Sequence, residues 1–407
     1  MRELSKHKVV FTDFPYLVRL NPNIPWKTRG NASIRISIRT DLDIQDVLEI
    51  VLQKSIEYTE EVSKAVKFNR KPGIAITYVE NSEKLENFYN KAVKDVIPLD
   101  LAIKVAEKYD IIVKGDRGII GSIAALGFNP DKTGFTYELL TYRSDINEPR
   151  SVNEESVIKF DEKNFPYVFA NYDYIDKKIQ IISHGNDPVL YGVRGVNARA
   201  VLSALDVIEV KSKIDGAMLF KTNQATDSHV VDKGTFYQTV KLQIKVSNVK
   251  ILPGGDVLVV SANGDIILFY KETGELNEAA KLLKKGDEIL VTGGIKPSIE
   301  YGKIIEAENM VIITLNSYEP VNPKCPKCGG SSESLGKNKG FRCKKCGYRF
   351  QSEKQIKEID RGLVINTIYQ SRRYRHLTKP IFLELSHERL DEEFTNQIIT
   401  KLLYYHN

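Results

Sequence analysis

The sequence predicts a multidomain α+β protein in which an OB-fold β-barrel and a zinc ribbon follow a larger mixed N-terminal region. Three observations predict it. All four cysteines fall in two C-x2-C knuckles, residues 235–315 read as three strands, a helix and two strands, and the strand-like Asp110–Lys114 runs into a glycine turn that opens a helix. With 407 residues, 42% hydrophobic and 28% charged, the chain has the make-up of a globular protein of several domains. No apolar run approaches the roughly 18 residues of a membrane span. The opening Met1–Lys8 has no apolar signal core, so a cytoplasmic protein with no membrane partner is expected.

Taken in order, the first informative stretch is Arg19-Leu-Asn21-Pro-Asn23-Ile-Pro25-Trp26-Lys27-Thr28-Arg29-Gly30-Asn31. It places the only tryptophan, three basic residues and three asparagines in a proline-braced loop ahead of a strand, Ser33–Arg39. Loops stiffened in this way hold binding groups in place. Asn81–Lys108 has the period of an amphipathic helix. After the strand Asp110–Lys114, Gly115, Gly118 and Gly121 let the main chain approach an anion at a helix N-terminus, which suits a phosphate. The spacing matches neither the dinucleotide nor the Walker fingerprint, and glycine for strand–helix packing is the alternative. Asp145–Asp176 reads as a polar connection with aromatic anchors. The apolar strand Ala217–Phe220 then delivers Lys221–His229, where amides, hydroxyls, a carboxylate and an imidazole gather at a strand end. A helix N-cap at Thr226 or Asp227 is the structural alternative to a site, and the two roles are compatible.

In the barrel region Val240–Val246 alternates, Asp256–Ser261 and Asp265–Tyr270 flank Ala262-Asn263-Gly264 as a hairpin, Leu276–Lys285 is an amphipathic helix, and Asp287–Gly293 and Lys303–Val311 complete the set. That is the order of an OB barrel, a fold that binds single-stranded nucleic acid without by itself establishing the ligand. Cys325, Cys328, Cys343 and Cys346 follow, each pair closing on a glycine. Disulfides are the alternative reading, but these are the only cysteines and no secretory signal accompanies them. Four thiolates fill a tetrahedral zinc sphere and leave no position for a water, so the zinc is structural. From Pro320 to Pro380 there are 15 Lys and Arg against 4 Asp and Glu, a local net charge of +11 in a chain whose total is +6. Such clustered cations, arginine-rich at Arg372-Arg373-Tyr374-Arg375-His376 and interleaved with Phe341, Tyr348, Phe350, Tyr369 and Tyr374, suit a nucleic-acid backbone with base stacking. A solvated lysine face is the bland alternative. Pro380–Asn407 reads as a C-terminal helix that docks on the body or on a partner.

Six motifs in order carry a resemblance: RLNPNIPWKTRGN at 19–31, GDRGIIGSIAALG at 115–127, PVLYGVRG at 188–195, TNQATDSHV at 222–230, the paired CPKCG and CKKCG knuckles, and RYRHLTKP at 373–380. The chain resembles the archaeal 2-agmatinylcytidine synthetases of the AUA-reading isoleucine tRNA, the TiaS family, over nearly its whole length. The resemblance implies a kinase-like α/β domain (1–113), a ferredoxin-like domain (114–234), an OB fold (235–316), a zinc ribbon (320–352) and a basic C-terminal segment with its helix (353–407). It further implies ligation of agmatine to the 2-position of the wobble cytidine of the CAU-anticodon isoleucine tRNA, with ATP, Mg²⁺ and structural Zn²⁺, and with no obligate protein partner. On that reading Lys27, Arg29 and Arg117 offset phosphoryl charge, with Gly30, Asn31, Gly115, Gly118 and Gly121 at the ATP phosphates. Asp227, with Thr222 and Asn223, receives agmatine, and Arg372, Arg373, Arg375, His376 and Lys379 hold distant parts of the tRNA backbone. Arg194 is read either as a phosphate contact or as an ion-pair partner. Family members open with a strand ending in a Gly-Ile-Asp-Asp-Thr-Asp-like motif expected to hold Mg²⁺. No such motif occurs in the 407 residues, so the expectation is either a start further upstream or a lost metal site. A non-catalytic OB and zinc-ribbon protein binding single-stranded nucleic acid or tRNA is the rival reading, and it rests on residues 235–407 alone.

Overall fold

Two strands in the middle of the chain are buried almost without interruption, which places them at the centre of a sheet covered on both faces. In the computed structural model, which describes every residue except 28–30, 63, 66, 184, 186, 374 and 407, they are Thr136–Arg143 and Ile214–Thr222. The six-stranded sheet contains β1 (Tyr16–Arg19), β2 (Ala32–Arg35), β3 (Thr136–Arg143), β4 (Val168–Phe169), β5 (Val189–Gly195) and β6 (Ile214–Thr222), in the spatial order β2-β1-β6-β3-β5-β4. The β6–β1 pairing is parallel, Lys221 beside Tyr16 and Thr222 beside Leu17, and the other pairings are antiparallel. Strands from both sides of residue 114 thus share one sheet and one apolar core.

The helix Ile119–Leu126 packs against β2, the strand Gly73–Ile76 and the helix Glu86–Lys94. The expected helix over 81–108 is instead two, Glu86–Lys94 and Leu99–Lys108, because Pro98 forces the residues before it out of helical conformation. The expected strand Ser33–Arg39 also divides, into β2 and Ile38–Thr40, which pairs with Val9–Phe11. Asp145–Asp176 is not merely a connection. It contains the helix Glu154–Asn164, capped by Asn153 and anchored through the buried Val157 and Phe160. The C-terminal helix Glu392–Leu403 docks on the body, burying Ile399 and Leu402 in the main core against β6, while the Asn396 amide bonds both backbone groups of Phe11.

The chain divides into two compact units, one of residues 1–241, 293–297 and 373–407, the other of 242–292 and 298–372. The barrel strands β7 (Thr239–Ile251), β8 (Val257–Ser261), β9 (Ile266–Phe269), β10 (Glu288–Ser298) and β11 (Gly302–Thr314) run in the order β7-β8-β9-β11-β10, and β10 returns to β7 to close five strands. Gly264 at φ +87° makes the β8–β9 turn. The helix between β9 and β10 is Glu275–Lys281, ending four residues earlier than its sequence suggests, where Leu282–Asp287 turns through Gly286 at φ +96°. Beyond β11 a two-stranded stalk, Tyr318–Val321 with Gln355–Glu358, carries the ribbon's three short strands. Asp287 clamps the base of the stalk: its carboxylate accepts from the backbone N–H of Asn316 at 2.7 Å and Lys284 at 2.7 Å and bidentately from Arg361. Burial alone would raise its pKa, but Arg361 and these N–H donors hold it below the usual carboxylate value.

Candidate functional site

The ribbon's chemistry follows from two tight turns. Gly329 at φ +68° and Gly347 at φ +73° donate backbone N–H bonds to Cys325 and Cys343, so each knuckle folds its second cysteine over its first. All four Sγ atoms lie within 4.8 Å of one another, with Cys325 to Cys346 at 3.7 Å and Cys328 to Cys343 at 3.5 Å. Zinc–thiolate bonds of roughly 2.3 Å at a tetrahedral angle require sulfurs about 3.8 Å apart. The thiols are free rather than disulfide-bonded, and the backbone N–H of Cys346, with that of Lys345, holds the Cys343 thiol down to about 6. The donor set fits zinc. Tyr348 is exposed and stacks on Phe350 at 6.2 Å, whereas Phe341 and Tyr369, expected at the surface, are buried; Tyr374 lies outside the described residues. The difference arises because Phe341 fills the ribbon's small core and Tyr369 lies on a strand paired with β11.

In the other unit, a buried carboxylate organises the ends of several strands. Glu138 sits midway along β3, with Arg194 of β5 at 3.1 Å on one oxygen, Arg19 of β1 at 3.5 Å on the other, and the amide of Gln224 donating beside it. Burial would raise its pKa, but Arg194 and Arg19 hold it below the ordinary value, so it is ionised. Gln224 Oε1 meets His376 Nδ1 at 3.0 Å. His376 is open to solvent on one side, yet this nitrogen turns inward. Desolvation there, with Arg19 and Arg194 nearby, pushes the imidazole far below its usual pKa and keeps it neutral. Residues 224–227 and 375–379 zip together: Ala225 N–H donates to His376 O at 2.8 Å, Asp227 N–H to Leu377 O at 2.9 Å, and Lys379 N–H to the Asp227 carboxylate at 2.7 Å.

This zipper corrects one expectation. Asp227 and Thr226 cap no helix, for Asp227 has φ +56° and its carboxylate serves residue 379. The basic stretch 372–379 divides between the two compact units. Arg373, Arg375, His376 and Lys379 belong to the N-terminal unit, and Arg375 donates to the Asn23 side chain, while Arg372 belongs to the barrel unit and lays its guanidinium over Gly274, where a Cβ would strike it. Thr222 and Asn223 are fully buried. The Asn223 amide bonds both backbone groups of Arg19 and the Tyr89 hydroxyl, so these two hold the site together from behind.

The asparagines of the 19–31 loop are braces. Asn21 bonds Tyr237 O and Asn23 N–H, Asn23 bonds Thr239, and Asn31 bonds Asn21 O. Lys27 is exposed, its pKa lowered by partial burial and by the neighbouring Arg375; Arg29 and Gly30 lie outside the described residues. The glycine turn is packed as well. Cβ atoms on Gly115 or Gly118 would strike Pro72 O or Gly73 N within 2.5 Å, and Gly121 faces Leu20. The N–H groups of Asp116, Arg117, Gly118 and Ile119 are bonded within the protein, and the Arg117 side chain is exposed. Arg194 is an ion-pair partner of Glu138.

Three family descriptions match the chain: "TiaS TCKD domain" over residues 1–117, "TiaS FLD domain" over 116–229 and "TiaS C-terminal zinc ribbon domain" over 322–363. The isoleucine-tRNA 2-agmatinylcytidine synthetase TiaS of Saccharolobus islandicus is 52% identical over 94% of this chain and 87% of its own length. The chain belongs to the TiaS family. Two crystal structures of TiaS complexes superpose on it, one with an isoleucine tRNA and ATP (TM-score 0.81, 29% identity, 96% of this chain and 94% of the other), one with that tRNA, AMPCPP and agmatine (0.78, 27%, 96% and 93%). Of the cluster residues, the sequence reading missed Glu138, whereas Arg19 and Gln224 lie in the two polar stretches it singled out. Glu138 had a visible signal, a single carboxylate inside the run Phe135-Thr-Tyr-Glu-Leu-Leu, which burial obliges to find cations.

Proposed function

We propose that this chain is an ATP-dependent tRNA-modifying ligase that joins agmatine to C2 of the wobble cytidine in the CAU-anticodon isoleucine tRNA, so that the anticodon reads AUA. The observation that carries the reading is the 52% identity, over 94% of the chain, to a relative named for that activity. The rival reading as a binding protein accounts for residues 235–407 only, whereas family descriptions match 1–229 as well. We assign 1–113 as kinase-like, 114–234 as ferredoxin-like, 235–316 as OB fold, 320–352 as zinc ribbon and 353–407 as a basic tail with its helix. A cytoplasmic setting suits a tRNA and ATP substrate pair, and no helix among the described residues is long and apolar enough to cross a membrane.

The 2-carbonyl of cytosine is a poor electrophile, so its oxygen must become a leaving group before the agmatine amine attacks. Phosphorylation by ATP achieves that, and negative charge grows on the transferred group. Lys27, Arg29, Arg117 and Arg375 supply cations for it. His376, kept neutral and steadied by Gln224, faces the tRNA backbone together with Arg372, Arg373, Arg375 and Lys379. Asp227, fixed by the Lys379 backbone, is the carboxylate for agmatine's guanidinium, with Thr222 and Asn223 as its support. Mg²⁺ travels with ATP. Among the described residues the only cluster of three or more metal-ligating groups is the four cysteines, and Asp13 is engaged by Lys221 and Tyr16, so the described residues do not make a Mg²⁺ cage.

The test is transfer of labelled agmatine from solution to the CAU-anticodon isoleucine tRNA transcript with ATP. Label is expected in that transcript and not in one with a GAU anticodon. Tight tRNA binding with no label would overturn the ligase reading in favour of the binding protein.

A further inference from the structure

Trp26, the only tryptophan in the chain, is 54% exposed, while Asn21 and Asn23 a few residues before it are 1% exposed and hydrogen-bonded. A large apolar ring held in solvent by a rigid, buried scaffold requires a reason. Its neighbours supply one. Trp26 meets Tyr237 edge-on at 5.7 Å, and Phe236, 46% exposed, lies 6.4 Å from Tyr237. Tyr237 has φ +68°, a left-handed conformation unfavourable for a bulky side chain, and is locked there by its N–H to Ile295 O and by Asn21 to its own carbonyl. Three cations share the same scaffold. Lys296 donates to Asn23 O, Arg375 to the Asn23 side chain, and Lys27 follows Trp26 directly and senses Arg375.

We infer that Trp26, with Tyr237 and Phe236 behind it, is a stacking platform for an unpaired base of the tRNA anticodon loop next to the modified cytidine, with Lys27, Arg375 and Lys296 facing the phosphates on either side. This rests on the proposed function. An apolar partner would leave three cations facing it, whereas a nucleotide presents a π-face to the rings and an anion to the cations. The place along the tRNA follows from continuity: Arg375 adjoins His376 of the Glu138 cluster, and the base beside an extruded cytidine is one nucleotide away from it. Pre-set rings add affinity because little side-chain freedom is lost on binding.

The sole tryptophan makes the platform directly observable. Its fluorescence should be quenched by a CAU anticodon stem-loop and not by an acceptor-stem minihelix. Trp26→Ala should weaken tRNA binding about tenfold while leaving the salt slope and melting temperature unchanged, because a stacking contact is lost and no phosphate contact is. Trp26→Phe, which keeps an aromatic face, should stay within about twofold of the native chain. Quenching by the minihelix alone, or native affinity in Trp26→Ala, overturns the platform. A native chain that transfers agmatine yet shows no quenching overturns the platform and leaves the ligase reading intact; one that neither transfers agmatine nor binds the stem-loop overturns both.

Discussion

Glu138 carries a carboxylate into a strand whose neighbours Tyr137 and Leu139 are fully buried, and it remains charged only because Arg19 and Arg194 face it. Removing one partner of a buried pair leaves the other charges uncompensated, so Glu138→Gln should destabilise the protein by about 3 kcal/mol at neutral pH, measured by denaturant unfolding. Because its folded pKa lies below the ordinary 4.5, Glu138 contributes stability that is present above pH 4.5 and lost as the pH falls through the folded value. The native chain should therefore weaken steeply in acid, and Glu138→Gln should flatten that limb. At this scale the sequence was half legible. A solitary acid in an apolar strand announces a buried ion pair, but its partners lie 119, 56 and 86 residues away, and no local pattern joins them.

The ribbon and the barrel were read almost entirely from their own residues, since their signals are short-range: knuckle spacing, a glycine-bearing hairpin and alternating strands. The six-stranded sheet was not. Its parallel β1–β6 pairing links residues about 200 apart, and β1 is a four-residue strand that looks like part of a loop. The divided helix and the shortened one share a cause, a Pro98 or Gly286 whose backbone demand overrode an otherwise continuous pattern. The ribbon's dependence on zinc is testable at the same scale. With three strands of two or three residues each and little apolar core, its fold rests on the metal, whose binding to such sites is worth roughly 10–16 kcal/mol. Chelation, or Cys343→Ser, should open residues 322–350 to protease while the cut products retain the barrel, and should lower the salt slope of tRNA binding as the ribbon's lysines lose their arrangement.

For the molecule as a whole, the chain leaves the N-terminal unit at Lys241 and is counted within it again at 293–297 and from Arg373 onward. Residues 373–403 contribute Leu377, Ile399 and Leu402 to its core and the backbone partners of Ala225 and Asp227. A chain ending at Arg372 should melt well below the full protein and transfer no agmatine, whereas one lacking only 322–350 should keep its melting temperature in the N-terminal unit. Circular dichroism of the two deletions separates these outcomes. The closure of the Asp227 segment by residues 376–379 also sets a timetable for synthesis. When the ribosome has passed Lys241, all six strands of the sheet have been made but the Asp227 segment is still open, and it stays open through the barrel and ribbon until residues 376–379 are translated. A chain released before residue 379 therefore lacks this closure, and each copy made must reach that point before the Glu138 cluster and the Asp227 segment are joined.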